Sequence, residues 1–253
     1  MRTTAILNLK GGVAKTVTCV NMAAILAADY KKRVLVVDAD SQANTTEFFG
    51  GVDACASTMS NLLRGMEACT VIHATGRARI SLIAADDSLM DLDLSSVKSK
   101  EADMGSLNRL LSAHRDEYDY CLIDCPPAFN AAAAAALLAA DDVIIPIKLD
   151  AFSLRGMANL TRQVRNMQAI NPKLRIAGLL PTMVYRSEKI KKALEILQVS
   201  DFNVYHTIRK TNKVDDMTFA QVPLIKSSPN SAACVDYRRM VRDYVREGGA
   251  VRG

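Results

Sequence analysis

The stretch Leu9-Lys10-Gly11-Gly12-Val13-Ala14-Lys15-Thr16 decides how this chain is read. A short apolar run, residues 5–9, leads into it. Residues 17–30 follow, with Val20, Ala23, Ala24 and Ala27 at helical spacing. A glycine pair between a strand and a helix suits one task. Without Cβ atoms the backbone N–H groups can close on an anion, and the helix N-terminus adds partial positive charge. Lys15 stands where a point charge would meet the phosphates of a bound triphosphate, and the Thr16 hydroxyl where it would ligate a divalent cation. The loop departs from the common G-x-x-x-x-G-K-[ST] pattern. That pattern wants glycine at positions 9 and 14, where this chain has Leu9 and Ala14, and a further lysine, Lys10, stands five residues before Lys15.

Outward from the loop, apolar and β-branched runs recur at residues 33–38, 80–84, 120–124, 143–147, 176–180 and 204–208. They read as strands, the last one closing the series. Residues 107–114, 130–140, 153–170, 187–197 and 232–245 read as helices, the fourth of them basic. Strands apolar on both faces, alternating with helices, predict an α/β fold: a mostly parallel twisted sheet with helices on both faces. No linker interrupts the pattern, so one domain over residues 1–253 is expected. Ligands of such sheets bind outside the carboxyl ends of the strands.

Two more motifs fall at strand ends. The run Val34–Val37 delivers Asp38-Ala39-Asp40-Ser41-Gln42-Ala43-Asn44, whose carboxylates at 38 and 40 can face the same way. The run Tyr120-Cys121-Leu122-Ile123 delivers Asp124, and Pro126-Pro127 fix the chain where it leaves. One carboxylate at the end of an apolar strand has the form of a group in the outer shell of Mg²⁺.

Composition narrows the class. The chain has 253 residues, 49% hydrophobic and 23% charged, ordinary for a soluble globular protein with one large core. Its net charge of +5 permits contact with nucleic acid or anionic lipid. Cys19, Cys55, Cys69, Cys121, Cys125 and Cys234 form no C-x-x-C pair and read as reduced, mostly buried thiols. No signal peptide precedes the first strand, and no uncharged apolar stretch reaches membrane-spanning length, so a cytoplasmic location is expected.

In this order the three motifs resemble the ParA/Soj branch of the deviant Walker A ATPases, within the ParA/MinD family. Further matching stretches are Ala139-Ala140-Asp141-Asp142-Val143-Ile144-Ile145-Pro146, Gly178-Leu179-Leu180-Pro181-Thr182-Met183, Ile208-Arg209-Lys210 and Val222-Pro223-Leu224. The resemblance implies a P-loop NTPase fold and a slow, Mg²⁺-dependent ATPase that times a switch. By position it implies that Lys10, Gly11, Gly12, Val13, Ala14, Lys15, Thr16 and Val17, with Pro223, bind ATP. Lys10 would reach the partner subunit's phosphates, Lys15 would hold the phosphates in cis, and Asp40 would position the attacking water. Thr16 would bind Mg²⁺, with Asp38 and Asp124 in its outer shell. The ATP-bound homodimer would bind DNA without sequence preference, at the nucleoid, until a ParB-like centromere-binding protein stimulates hydrolysis.

Lys213 falls where the family has one DNA-binding arginine. The second family arginine falls near residues 230–232, where this chain has none. Lys226 and the cluster Arg238, Arg239 and Arg242 could compensate, as could Arg186, Lys189, Lys191 and Lys192. No membrane partner is expected, because the basic C-terminal end is poor in Phe, Leu and Ile. The alternatives are a MinD-like membrane-surface ATPase and a weakly active nucleotide-binding regulatory module. Two departures motivate the latter, Ala14 for glycine and Val17 for threonine; Ser41 for proline is a third departure. If residue 14 needs positive φ, alanine there costs about 1 kcal/mol.

Overall fold

The computed structural model describes residues 1–53, 56–66 and 71–250. Cys55 and Cys69 lie outside the described residues; Cys19, Cys121, Cys125 and Cys234 are buried free thiols, as expected. In chain order the elements are β1 (Arg2–Ile6), α1 (Lys15–Ala28), β2 (Val34–Asp38), α2 (Asn44–Phe48), α3 (Met59–Leu63), β3 (Ile72–Ala74) and β4 (Ile80–Ile83). A 3₁₀ turn (Asp87–Asp91), α4 (Leu94–Lys98), α5 (Gly105–Ala113), β5 (Tyr120–Asp124), α6 (Ala131–Ala139) and β6 (Asp142–Lys148) follow. The chain continues through α7 (Ala151–Gln168), β7 (Arg175–Thr182), α8 (Glu188–Gln198), α9 (Lys213–Ala220), α10 (Leu224–Ser227) and α11 (Ala232–Ala250).

Among the described residues, seven strands form one sheet in the order β3-β4-β2-β5-β1-β6-β7. All neighbours are parallel except the edge pair β3 and β4. The central strands are apolar on both faces because each face meets a core of its own. Alternate residues Ala5, Leu35, Val37, Cys121 and Ile123 enter one core, which α5, α6 and α7 cover. Their neighbours Ile6, Val34, Val36 and Leu122 enter the other, which α1 and α11 cover. This is the two-residue period of a strand written into two layers. α6 is nearly all alanine and buried from Ala131 to Leu137, with the Asn130 side chain accepting from the Ala133 N–H at 3.0 Å as its cap.

Residues 204–208, expected to be the last strand, do not form one. They run beside β7 with only isolated bridges, Leu179 to Val204 and Val184 to Arg209. Pro181 has no N–H to offer the neighbouring chain, so a regular ladder cannot continue there. The segment stays attached through the Leu179 N–H to Asn203 at 2.8 Å, the Tyr205 N–H to Leu179 at 2.9 Å and the Ile208 N–H to Pro181 at 2.8 Å. The helix after the glycine loop begins at Lys15, two residues earlier than the periodicity predicts.

Candidate functional site

The register of the sheet builds the site. Ile6 pairs with Asp124 across β1 and β5, and Asp38 pairs with Asp124 across β2 and β5. Three strand ends therefore stop level, and the loop after β1 passes over both carboxylates. Asp38 and Asp124 are buried to 0% and 1% exposure.

The loop is held from several sides. The Thr182 hydroxyl at the end of β7 donates to the Val13 carbonyl at 3.1 Å. Asn8 donates to the Pro146 carbonyl and accepts from the Lys10 N–H at 3.0 Å. Gly12 has φ +67°, which glycine adopts freely. Ala14, the residue before α1, also has φ +67°, so the condition attached to that position is met and alanine carries the strain. Lys15 is buried on the first turn of α1, with its ammonium 3.3 Å from the Lys10 carbonyl. Burial lowers its pKa, opposed by the charges of Asp124 and Asp40.

Asp124 is satisfied on one side only. Its Oδ2 accepts from the hydroxyls of Thr16 and Thr45, each at 2.7 Å. Its Oδ1 is buried and has no hydrogen-bond partner among the described residues. Asp38 accepts from the Thr46 N–H and hydroxyl, each at 2.8 Å, and from the Asp40 N–H at 3.1 Å. Burial and mutual repulsion raise the pKa of Asp38, and burial raises that of Asp124 against the two threonine hydrogen bonds. An orphaned carboxylate oxygen beside a second buried carboxylate fits a cation. The donors present are all oxygen, from Thr16, Asp38 and Asp124, which suits a hard divalent ion such as Mg²⁺. No group of three or more His, Cys, Asp or Glu among the described residues could hold a metal by itself. Such an ion would also need oxygens from a bound molecule.

Asp40 lies beyond the end of β2, partly buried in a turn where its carboxylate accepts from the Gln42 N–H at 3.1 Å. Lys10 is half-exposed and folded back onto its own chain, its ammonium 2.7 and 2.9 Å from the two oxygens of Asp150. Val17 borders a cavity of about 240 Å³ beside Thr16, walled by Phe48, Met217 and Gln221. Pro223 precedes α10, whose Leu224 N–H donates to Asn21 on α1 at 3.1 Å, and borders a groove with Ala24 and Ala27. Sequence reading gave no role to Thr45, Thr46, Thr182 and Asp150. The first two stand directly behind the second aspartate motif and Thr182 within a stretch that matches the family; Asp150 carried no signal.

The DNA-binding expectations divide. Lys213 is exposed but paired with Asp216 at 2.8 Å. Arg238 pairs with Asp29 at 3.0 Å and Arg242 with Asp243 at 3.4 Å. Arg239 and Lys226 are exposed, with no ion pair among the described residues. No helix among the described residues is long and apolar enough to cross a membrane.

A family model described as an AAA domain matches residues 1–176. The sporulation initiation inhibitor protein Soj of Bacillus subtilis is 32% identical over 252 residues, covering 96% of this chain and 98% of its own. The chromosome partitioning protein ParA of Caulobacter vibrioides is 31% identical over 259 residues, covering 97% and 94%. A solved structure of cobyrinic acid a,c-diamide synthase from Mycobacterium smegmatis, with bound ATP analogue and magnesium, superposes with a TM-score of 0.83 at 27% identity, covering 98% of this chain and 95% of that one.

Proposed function

The chain belongs to the ParA/MinD family of P-loop ATPases, and on that premise we propose that it is an ATP-dependent dimerising switch that partitions DNA. The observation that carries this reading is the Asp124 carboxylate, with one oxygen buried and unpartnered beside Thr16 and Asp38 at the foot of the glycine loop. The N–H groups around Gly11, Gly12 and Ala14 and the first turn of α1 would cradle the β- and γ-phosphates of ATP, with Lys15 against them. Thr16 would ligate Mg²⁺, and Asp38 and Asp124 would hold its outer shell. When bound, the ion neutralises charge developing on the transferred phosphoryl group. Asp40 is the one aspartate of its motif not buried, and it would orient the attacking water. Lys10 would leave Asp150 and reach the partner subunit's phosphates, so that dimerisation needs ATP. The cavity beside Val17 is placed to take part of the nucleoside, against Phe48 and Met217.

DNA is favoured over a bilayer by the C-terminal helix. Its apolar residues Tyr237, Met240, Val241 and Tyr244 are already buried in the core, and arginines stand on its outer side. On this reading the protein is cytoplasmic and nucleoid-associated, and a ParB-like protein stimulates its slow hydrolysis. The test is sedimentation with Mg²⁺ and ATP. Wild type should dimerise and Lys10→Ala should stay monomeric while still binding ATP. Asp40→Ala should remain dimeric and release no phosphate. An unchanged dimer in Lys10→Ala, or normal phosphate release by Asp40→Ala, refutes the assignment.

A further inference from the structure

A groove of about 300 Å³ runs along the C-terminal half of α1, between that helix, the start of β4 and α10. Its floor is small and apolar, with Ala24, Ala27 and Ile80. Its rim carries Lys31, Arg77, Arg79 and Lys226 and no acidic residue. An unbroken set of four cations around one groove is uncommon on a surface where the two signs normally intersperse.

The rim is built rather than incidental. Lys31 has φ +56° and Arg79 φ +68°, two of the few non-glycine residues in the left-handed region, and both stand on this rim. Each conformation costs about 1–2 kcal/mol. Arg77 is partly buried, and burial lowers its pKa. No ion pair meets it among the described residues. Its guanidinium donates to the Phe48 and Gln221 carbonyls and lies over the rings of Phe48 and Phe49 at 5.2 and 5.4 Å. Arg77 is thereby anchored by neutral partners and adds its full charge to the rim, while Lys31 and Arg79 are exposed there.

The groove does not stand alone. On the other side of the end of α1, a second groove of about 270 Å³ is lined by Arg238, Arg239 and Arg242, and its single acid, Asp29, is engaged by Arg238. Ala28 and Lys31 border the first groove and Asp29 and Tyr30 the second, so the two meet at the helix end. Seven cations thus form a belt around that end, an extended basic surface rather than a pocket for one phosphate. Arg238 and Arg242 are paired with Asp29 and Asp243, as Lys213 is with Asp216, which leaves Lys31, Arg77, Arg79, Lys226 and Arg239 without an ion pair among the described residues.

We infer that this belt is where a duplex nucleic-acid backbone lies, and that Lys31, Arg77 and Arg79, on the α1–β4 groove, are phosphate-binding residues. The inference rests on the DNA reading above and moves its centre from Lys213 to the end of α1. The helix side of the groove, Ala24 to Ala28, lies about 13–20 Å from Lys15 along α1, so Lys31 and Arg79 can be changed without touching the nucleotide loop.

The test is K31N/R79N, since asparagine tolerates the left-handed region. Binding of a 24-base-pair duplex by the full chain with Mg²⁺ and ATP is followed across a salt series. Each lost phosphate contact lowers the slope of log K against log salt by about 0.9, so the slope should fall by about 2 per protomer engaged, with affinity down more than about tenfold at 100 mM salt. ATP affinity and dimerisation should not change. K98Q/K173Q, on two exposed lysines outside the belt, is the control for loss of general charge and should keep the wild-type slope. A second pair, K31G/R79G, repeats the test should the first fold poorly. A wild-type slope in K31N/R79N overturns the inference, as does an equal loss in K98Q/K173Q. A loss confined to phosphatidylglycerol vesicles makes the belt a lipid site and also overturns it. If wild type with ATP binds no duplex, the DNA reading falls first and this inference with it.

Discussion

Asp124→Asn should make the ligand-free protein more stable and its ligand-bound form less so. The two carboxylates at positions 38 and 124 face each other in register on adjacent strands, both buried. An ionised oxygen left without a donor costs about 1–3 kcal/mol, and Asp124 Oδ1 is such an oxygen. The amide keeps the shape, and its oxygen still accepts from Thr16 and Thr45. Its N–H₂ takes the orphan position, facing a carboxylate instead of repelling one. Allowing about 1 kcal/mol for imperfect amide geometry, the net gain is up to about 2 kcal/mol, or a Tm rise of up to about 8 °C for a chain of this size.

The pH dependence follows with a definite sign. Burial raises both pKa values, Asp124 to about 6 and Asp38 to about 7. A carboxyl raised on folding stabilises the fold while protonated, and that stability is lost as pH rises through the raised value. Wild-type Tm without ligand should therefore fall from about pH 4, where the unfolded carboxyls ionise, to about pH 7, and level off above it; Asp124→Asn should flatten that fall. Thermal denaturation over pH 4–8, with and without Mg²⁺ and ATP, reads both effects. Saturating ligand at about 100 Kd adds about 2.7 kcal/mol to wild type and should add far less to the variant. A ligand-free variant melting several degrees below wild type would show the charge to be stabilising, and the reasoning from the orphan oxygen would be wrong.

Ala14→Gly relieves a left-handed alanine and should raise stability by about 0.5–1 kcal/mol and tighten ATP binding, read by denaturation and titration calorimetry. Asp150→Asn removes a partner of Lys10 in a partly exposed pair worth at most about 1 kcal/mol, so half-maximal dimerisation should need up to about fivefold less ATP. Asp236→Ala should cost about 2–4 kcal/mol in urea unfolding, because Asp236 is fully buried and accepts from Arg209 at 2.7, 2.8 and 3.1 Å and from His206 at 3.2 Å. Burial pushes that carboxyl up, but the hydrogen bonds hold it below its ordinary value. Its contribution should therefore be present at neutral pH and lost as pH falls below the carboxylate range.

The loop and the two aspartate strands were legible because phosphate binding needs particular residue types at fixed spacing, and strands buried on both faces read as unbroken apolar runs. Register was not legible. That Asp38 stands level with Asp124 depends on pairing between strands 86 residues apart, which no local pattern records. The link between Lys10 and Asp150 spans 140 residues and was hidden for the same reason. The short helices α2, α3 and α4 hold five residues each, too few for a periodic signal. α4 is fixed by its cap Asp93, which accepts from the N–H groups of Ser95 and Ser96. Residues 204–208 have the composition of a strand and fail because of a proline on the neighbouring one. The basic belt was half legible: the α11 arginines form a cluster in sequence, whereas Lys31, Arg77 and Arg79 come together only when β4 pairs beside β2.

The level pairing of Asp38 and Asp124 has a further outcome. A sheet packed on both faces cannot spread to ease two like charges, so the discomfort persists until a cation arrives. Copies without ligand should be the ones that open most readily, and a protease in the cell would clear them ahead of loaded ones. The lifetime of this chain should therefore track the supply of magnesium and nucleotide around it.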